Sequence, residues 1–288
     1  MVQLSPKMAK RILFILIVAC CSFKINHAQV LEPPDTISFQ SGKLTLKALL
    51  WRPVGEGPFA TIIFTLGSYS KSDTAHNPVK DASVLGSLFA RRGYIFFALF
   101  RRGVGLSMDQ GLNSADMMEK AFKQNGQEGR NEAQLQQLET DQLQDMISGI
   151  VYLRKRTDVD LQRMAIIGHS FGGSLALLVA EHEPSLKAVV VFSGAGYSWN
   201  LSPRLRLRLI DAVKNIKAPI LFIHAKNDYS TTPGYELDSI LNRLNKPHEL
   251  KIYSEFGNTA DEGHNMIFHS TNTWEEDVFK FLKDNLRS

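Results

Sequence analysis

The sequence predicts a three-layer α/β fold with a mostly parallel central sheet of about eight strands. Short apolar runs alternate along the chain with amphipathic helical patterns. The central runs are apolar throughout, as expected of strands that are buried on both faces of a parallel sheet. The chain has 288 residues, of which 44% are hydrophobic, and this suffices for one large core.

The predicted sheet begins with a hairpin, in which residues 36–40 and 44–51 flank the turn signal Ser41-Gly42. Further strands are predicted at residues 60–66, 94–99, 164–168, 188–192, 219–224 and 250–253. Helical patterns occupy residues 79–92, 131–156, 172–182, 203–215, 234–245 and 273–286. A strand, a helix and a further strand in repetition predict right-handed crossovers between parallel strands.

One segment, residues 108–137, does not fit this alternation. It is polar and rich in glutamine, Gly126 and Gly129 separate two helical pieces, and it is too long for an ordinary connection. Four apolar residues recur in it at helical spacing: Met117, Met118, Ala121 and Phe122. We interpret the segment as a small helical lid over one end of the sheet. A solvated surface excursion is the alternative.

The first 28 residues are interpreted as an export signal. They hold four basic residues and no acidic one, and an apolar run at residues 12–19 is too short to span a bilayer. Cleavage after Ala28 predicts a periplasmic or secreted protein. Alternatively, the sequence ending in Cys20 resembles a bacterial lipobox, which would give a lipid anchor as the only link to a membrane. Both cysteines precede residue 29, so we expect residues 29–288 to form one domain without disulfides.

The net charge excludes some classes of partner. Of 33 basic residues four lie in the leader, and the remaining 29 balance the 29 acidic residues. A neutral body without a basic stripe argues against a nucleic-acid partner. No cluster of side chains has the spacing of metal ligands, and Gly103-Val104-Gly105 lacks the third glycine of a dinucleotide-binding turn. We therefore expect no metal and no cofactor.

A glycine-rich turn carries the predicted nucleophile. The sequence Gly168-His169-Ser170-Phe171-Gly172-Gly173 follows one predicted strand and begins the next predicted helix. Such a sharp turn forces unusual backbone angles, and glycines on either side of the serine remove side chains that would clash. The hydroxyl then lies at the carboxyl end of the strand, beside the positive helix N-terminus. We predict Ser170 as the nucleophile; a turn with an N-capping serine is the alternative.

A serine hydroxyl needs a general base, and the base needs a carboxylate that orients it. Among the eight histidines, four remain candidates for the base: His76, His248, His264 and His269. His264 is favoured because it lies in a polar loop between the last predicted strand and the last helix. His224 ends an apolar strand and is interpreted as a packed residue. Asp228, directly after that strand, is the predicted acid, since serine, acid and histidine then follow in the expected order.

Two backbone amides are predicted to stabilise the oxyanion. One belongs to Phe171, directly after the nucleophile, and the other to Ser68, in the loop that follows the strand at residues 60–66. Removal of one such donor costs about 2.7–4 kcal/mol of barrier stabilisation.

Four motifs resemble those of the α/β-hydrolase superfamily, nearest its dienelactone-hydrolase-like and acyl-peptidase-like branches. They are residues 100–107, residues 168–173, Asn227-Asp228 and Glu262-Gly263-His264, and the resemblance covers residues 36–286. It implies a three-layer α/β-hydrolase fold and a mainly structural role for Arg102, Gly103 and Gly105. A true dienelactone hydrolase would have a cysteine nucleophile, so Ser170 argues against that particular activity.

Together these features predict an exported serine hydrolase that cleaves carboxylic esters of small acyl groups through an acyl-enzyme intermediate. Its partner would be a small-molecule ester. A serine peptidase acting on short peptides is one alternative, and a non-catalytic binding protein on a hydrolase scaffold is another.

Overall fold

The computed structural model describes residues 32–70 and 76–287. The predicted export signal, with its cleavage site at Ala28 and the candidate lipid attachment site Cys20, lies outside the described residues.

One eight-stranded sheet forms the centre of the described part of the chain, in the spatial order β1-β2-β4-β3-β5-β6-β7-β8. The strands are β1 (Asp35–Ser41), β2 (Leu44–Trp51), β3 (Phe59–Thr65), β4 (Ile95–Phe100), β5 (Val159–His169), β6 (Ala188–Phe192), β7 (Ile220–Ala225) and β8 (His248–Tyr253). Strand β2 is antiparallel to both β1 and β4, and every other pairing is parallel. In the register, Ile63 pairs with Phe97 on one side and with Ile166 on the other. The carboxyl ends of β3 to β8 therefore meet at one edge.

Helices cover both faces of this sheet. They are α1 (Pro78–Arg91), α2 (Ser114–Glu139), α3 (Asp141–Leu153), α4 (Phe171–His182), α5 (Pro203–Asn215), α6 (Thr232–Arg243), α7 (Ala260–His264), α8 (Met266–His269) and α9 (Thr271–Asn285). One apolar core lies between the sheet and helices α2 to α6, and a second lies between the other face and α1, α8 and α9. The predicted three-layer α/β fold is thus confirmed.

Within the described residues, each helix is too short or too polar to span a bilayer.

The segment around residue 130 differs from the prediction. The single helix predicted at 131–156 is wrong, because Thr140 has φ −123° and ψ −97° and separates α2 from α3. The Thr140 hydroxyl donates to the Gln136 carbonyl at 2.7 Å, which suits a residue that ends a helix. Of the two glycines predicted to divide the insertion, only Gly126 breaks the helix, with φ 62°. Gly129 continues it.

Candidate active site

The turn between β5 and α4 holds Ser170 in a strained conformation. Its φ is 57° and its ψ is −119°, in a region that L residues rarely adopt. The turn is also tightly packed, since a Cβ on Gly168 would lie 2.1 Å from the Gly172 carbonyl oxygen. A Cβ on Gly172 would lie 2.2 Å from the Thr65 carbonyl oxygen. The glycines predicted to permit this turn therefore do so, and Ser170 lies at the carboxyl edge of the sheet.

Three predicted residues meet at this edge. The Ser170 hydroxyl donates to Nε2 of His264 at 2.8 Å, and Nδ1 of His264 donates to Oδ1 of Asp228 at 2.7 Å. Asp228 lies three residues after the end of β7, and His264 is the last residue of α7. All three groups thus form one continuous hydrogen-bonded chain from hydroxyl to carboxylate.

A short capped helix holds His264, where the sequence had indicated a polar loop. Thr259 and Glu262 form a capping box, in which the Thr259 hydroxyl accepts from the Glu262 amide at 3.1 Å. The side chain of Asn227 donates to the Phe256 and Thr259 carbonyls, at 2.8 Å each, and so ties the segment before α7 to the residue next to Asp228. The acid and the base are therefore positioned by one local network.

The Asp228 carboxylate accepts three hydrogen bonds. Besides His264, Nδ1 of His224 donates to Oδ2 at 2.8 Å and the Tyr229 amide donates to Oδ1 at 2.7 Å. Burial opposes the ionisation of Asp228, but the bonds from His224 and His264 outweigh it and hold the pKa of this carboxyl well below its usual range. His224 is indeed packed, but it also fixes the acid, a role that the sequence interpretation missed. The position of His224, four residues before Asp228, was the feature of the sequence that could have indicated this contact.

His169 is a second contact that the sequence interpretation missed. It is 3% exposed, and its Nε2 donates to the backbone carbonyl of His264 at 2.9 Å. The Ser193 hydroxyl donates to the same carbonyl at 3.0 Å. Burial, with the nearby His264, lowers the pKa of His169 to about 3, so the ring stays neutral. Two side chains thus anchor the backbone of the candidate base.

The two candidate oxyanion donors flank Ser170. Phe171 is the first residue of α4, where helix amides lack acceptors within the helix, and both it and Ser68 line the cavity beside the hydroxyl. Behind them lies Arg101, which is 1% exposed. Its guanidinium donates to the carbonyls of Leu66 and Gly67 at 2.7 and 2.9 Å. It also lies 5.3 Å from the centre of the Phe171 ring.

Arg101 therefore contacts both segments that carry the candidate donors. Burial lowers the pKa of Arg101 to about 10, which still leaves a positive charge at neutral pH. The neighbouring Arg102 is engaged differently, because it forms a two-pronged ion pair with the fully buried Asp145 at 2.7 and 2.9 Å. That contact agrees with the mainly structural role that the resemblance implied for Arg102.

A cavity of about 240 Å³ opens in front of Ser170. Tyr229 and Asp261 line it near His264, and the Tyr229 hydroxyl donates to Asp261 at 2.9 Å. Burial, with that hydrogen bond, raises the pKa of Tyr229 to about 12. Helix α2 lines the cavity with Met118, Arg130 and Gln134.

The segment at residues 108–137 thus reaches the cavity, but with only part of the predicted apolar stripe. Of that stripe only Met118 lines the cavity, and Phe122 is 45% exposed. Two of the three contributing side chains are polar, so the cavity wall differs in chemistry from the expected one.

A sequence model of the dienelactone hydrolase family matches residues 77–284. Human dipeptidyl peptidase 8 is 26% identical over 285 residues, and the match covers 89% of this chain but only 29% of that protein. The chain is similar in structure to the acylaminoacyl peptidase of Pyrococcus horikoshii, with a TM-score of 0.63 and 18% identity over 95% of this chain and 43% of the other. It is also similar to the dienelactone hydrolase of Anabaena variabilis, with a TM-score of 0.57 and 18% identity over 89% and 100% of the two chains.

The two solved structures support the fold, and the family match covers more than half of the sequence. The chain therefore belongs to the dienelactone hydrolase family, within the α/β-hydrolase superfamily.

Proposed function

We propose that this protein is a serine hydrolase that cleaves carboxylic esters of small acyl groups, with Ser170, His264 and Asp228 as its catalytic triad. One observation carries the proposal: the hydroxyl, imidazole and carboxylate are joined by hydrogen bonds of 2.8 and 2.7 Å in front of an open cavity. This arrangement suits proton removal from a serine by a histidine that a carboxylate holds in one tautomer.

In the acylation step, the Ser170 oxygen forms a bond to the acyl carbon while its proton passes to Nε2 of His264. The carbonyl oxygen becomes an oxyanion that the Ser68 and Phe171 amides stabilise. As the intermediate collapses, the imidazolium returns the proton to the leaving alcohol. Asp228, held ionised by its hydrogen bonds, stabilises the imidazolium in between.

In the deacylation step, His264 removes a proton from water, and the resulting hydroxide attacks the acyl carbon bound to Ser170. Collapse of this second intermediate returns the proton to the serine oxygen and releases the carboxylic acid. This step needs room for one water molecule beside His264, and the cavity of about 240 Å³ provides it.

The ester substrate is preferred for two reasons. A lactone is a cyclic ester, and the family that matches residues 77–284 is named for lactone hydrolysis. The cavity is also small, and α2 lines it on one side, which suits a compact substrate better than a folded polypeptide. A peptidase acting on short peptides is the second candidate, because two similar proteins are peptidases.

Two measurements test the proposal. A fluorophosphonate probe should label the protein, and labelling should disappear in Ser170→Ala while the matched variant Ser198→Ala, which changes another cavity serine, keeps it. Hydrolysis of short-chain p-nitrophenyl esters should then exceed that of aminoacyl p-nitroanilides. Labelling that survives in Ser170→Ala contradicts the assigned nucleophile, and faster anilide cleavage favours the peptidase.

Export is a separate part of the proposal and rests on the sequence of residues 1–28 alone. Mass spectrometry of the exported protein should find Gln29, or a lipidated Cys20, as the first residue. A cytoplasmic protein with an intact Met1 or Met8 terminus would contradict it.

A further inference from the structure

Two polar side chains on one face of α2 line the cavity without a polar partner among the described residues. Gln134 is only 4% exposed, yet its carboxamide makes no hydrogen bond to any residue that the structure describes. Half-buried Arg130, one turn earlier, makes no hydrogen bond or ion pair within residues 32–70 and 76–287. Its guanidinium lies 5.5 Å from the centre of the Tyr197 ring. A cavity wall with two donors that the described residues leave unused suits a ligand that accepts hydrogen bonds from them.

Arg130 and Gln134 lie on the α2 side of the cavity, away from His264. The leaving group must lie next to His264, because the imidazolium gives it a proton. Arg130 is separated from His264 by two tyrosines. The ring of Tyr197 contacts Tyr229 with centroids 5.6 Å apart, and Tyr229 contacts His264 at 4.9 Å. Helix α2 also packs against α4, which begins directly after the nucleophile.

The charges in the cavity are separated in the same way. Among the described residues, Asp261 is the acidic side chain that lines it. Asp261 lies near His264, where it accepts from Tyr229 and is 3.7 Å from His76. The α2 side of the cavity has the positive charge of Arg130 instead. An acyl group that ends in a carboxylate would meet a guanidinium and a carboxamide, whereas one that ends in an ammonium would meet a like charge.

We propose that Arg130 and Gln134 form a subsite for a carboxylate at the far end of the acyl group, so that the preferred substrates are half-esters of dicarboxylic acids. This inference rests on the proposed ester hydrolysis and adds the chemical class of the acyl group. The forked guanidinium suits a planar carboxylate, which it can bind through two parallel hydrogen bonds. The Gln134 amide can then donate a further bond to one carboxylate oxygen.

The test compares esters that differ only in the terminal group. The p-nitrophenyl half-esters of adipic and suberic acid carry a carboxylate, and the corresponding carboxamide esters have the same length and shape without the charge. In at least one of these two pairs, we expect kcat/KM of the wild-type protein to be at least about tenfold higher for the carboxylate ester than for the carboxamide ester. A factor of this size is the effect of one charge-assisted hydrogen bond. The 6-aminohexanoate ester, with a terminal ammonium, should be slower than the carboxamide.

Variants assign the preference to the residues. Arg130→Met should bring the carboxylate-to-carboxamide ratio close to one, Arg130→Lys should retain part of it, and Gln134→Leu should lower it severalfold. The matched control is Lys123→Met, which removes the same charge from the same helix. Lys123 is 73% exposed and pairs with Glu119 outside the cavity, so this variant should keep the wild-type ratio.

The outcomes separate the two proposals. If the wild-type protein hydrolyses neither ester of a pair and binds no fluorophosphonate, the proposed function fails. If it hydrolyses both at equal rates, only the carboxylate subsite fails. A preference that persists in Arg130→Met overturns the assignment to Arg130. Should that variant not fold, competitive inhibition of the wild-type protein decides: adipate that inhibits no better than adipamide contradicts the subsite.

Discussion

The substitution Arg101→Met tests how the buried guanidinium acts on the candidate oxyanion donors. In the wild-type protein Arg101 donates to the Leu66 and Gly67 carbonyls, to Oγ1 of Thr65 at 2.5 Å and to Oε1 of Gln142 at 2.7 Å. Methionine fills much of the same space but donates nothing. The carbonyl of Gly67 belongs to the peptide group that carries the Ser68 amide, so releasing it lets that amide turn away from the oxyanion.

The magnitude follows from these contacts. Four buried acceptors lose a donor, and at about 1 kcal/mol each, the low end for such groups, the free energy of unfolding should fall by about 4 kcal/mol. Removing a buried charge offsets part of this loss. Complete loss of one oxyanion donor lowers kcat by about a hundredfold to a thousandfold. A misplaced amide retains part of its effect, so we expect a fall of about tenfold to a hundredfold, with KM nearly unchanged.

The assay must separate a positioning role from a purely structural one. Chemical denaturation gives the loss of stability, and the ratio of kcat/KM for an ester to that for the matching thionoester reports the oxyanion donors, since sulfur accepts hydrogen bonds weakly. That ratio should fall in Arg101→Met and recover in part in Arg101→Lys. Arg204→Met, at an exposed arginine that pairs with Glu132, is the control. A destabilised Arg101→Met variant with the wild-type ratio would refute the positioning role.

The other predictions concern the histidines and the triad. Ser170→Ala and His264→Ala should each lower kcat by about a millionfold. Asp228→Asn should lower it by only about ten thousandfold, because the acid orients the base but exchanges no proton with substrate. Equal kcat for the wild-type protein and Asp228→Ala would place the acid elsewhere. His224→Leu should lower kcat by about tenfold through the less constrained carboxylate, and an unchanged kcat would show that His264 and the Tyr229 amide suffice. His169 has a pKa of about 3 in the folded protein, against about 6.5 when unfolded, so the unfolded chain binds this proton first as pH falls. The free energy of unfolding should therefore drop by up to about 1.4 kcal/mol per pH unit below pH 6.5. His169→Gln can still donate to the His264 carbonyl and should remove that part of the slope in denaturation measured between pH 6 and 4. Equal slopes for the wild-type protein and His169→Gln would show that His169 is protonated in the folded state.

The elements that could be predicted from sequence are those set by local pattern. The strand before Ser170 and the helix after it fix the turn, and parallel strands bring residues 228 and 264 to the same sheet edge once the strand order is known. Prolines also mark boundaries well, since α5 begins at Pro203 as predicted. The nearness of the three triad residues therefore follows from topology and needs no knowledge of side-chain packing.

The contacts that escaped prediction depend on how distant segments approach one another. Arg101 lies 34 and 35 residues from the carbonyls to which it donates, and nothing in the sequence near position 101 distinguishes it from Arg102. His169 contacts a backbone carbonyl 95 residues away. Such bonds form because buried polar groups must find partners, but which partner each one finds is decided by the packed structure.

A break in α2 explains how side chains from both halves of this helix line one cavity, and it also bears on the proposed subsite. Successive residues of a helix are rotated by about 100°, so Met118 and Gln134 would point about 160° apart in an uninterrupted helix. Both nevertheless line the same cavity. The break at Asn125 and Gly126, where the backbone leaves helical angles, turns the second half of the helix relative to the first. The predicted stripe lies wholly before the break, so it could not indicate that the polar face carrying Arg130 and Gln134, after the break, also reaches the cavity.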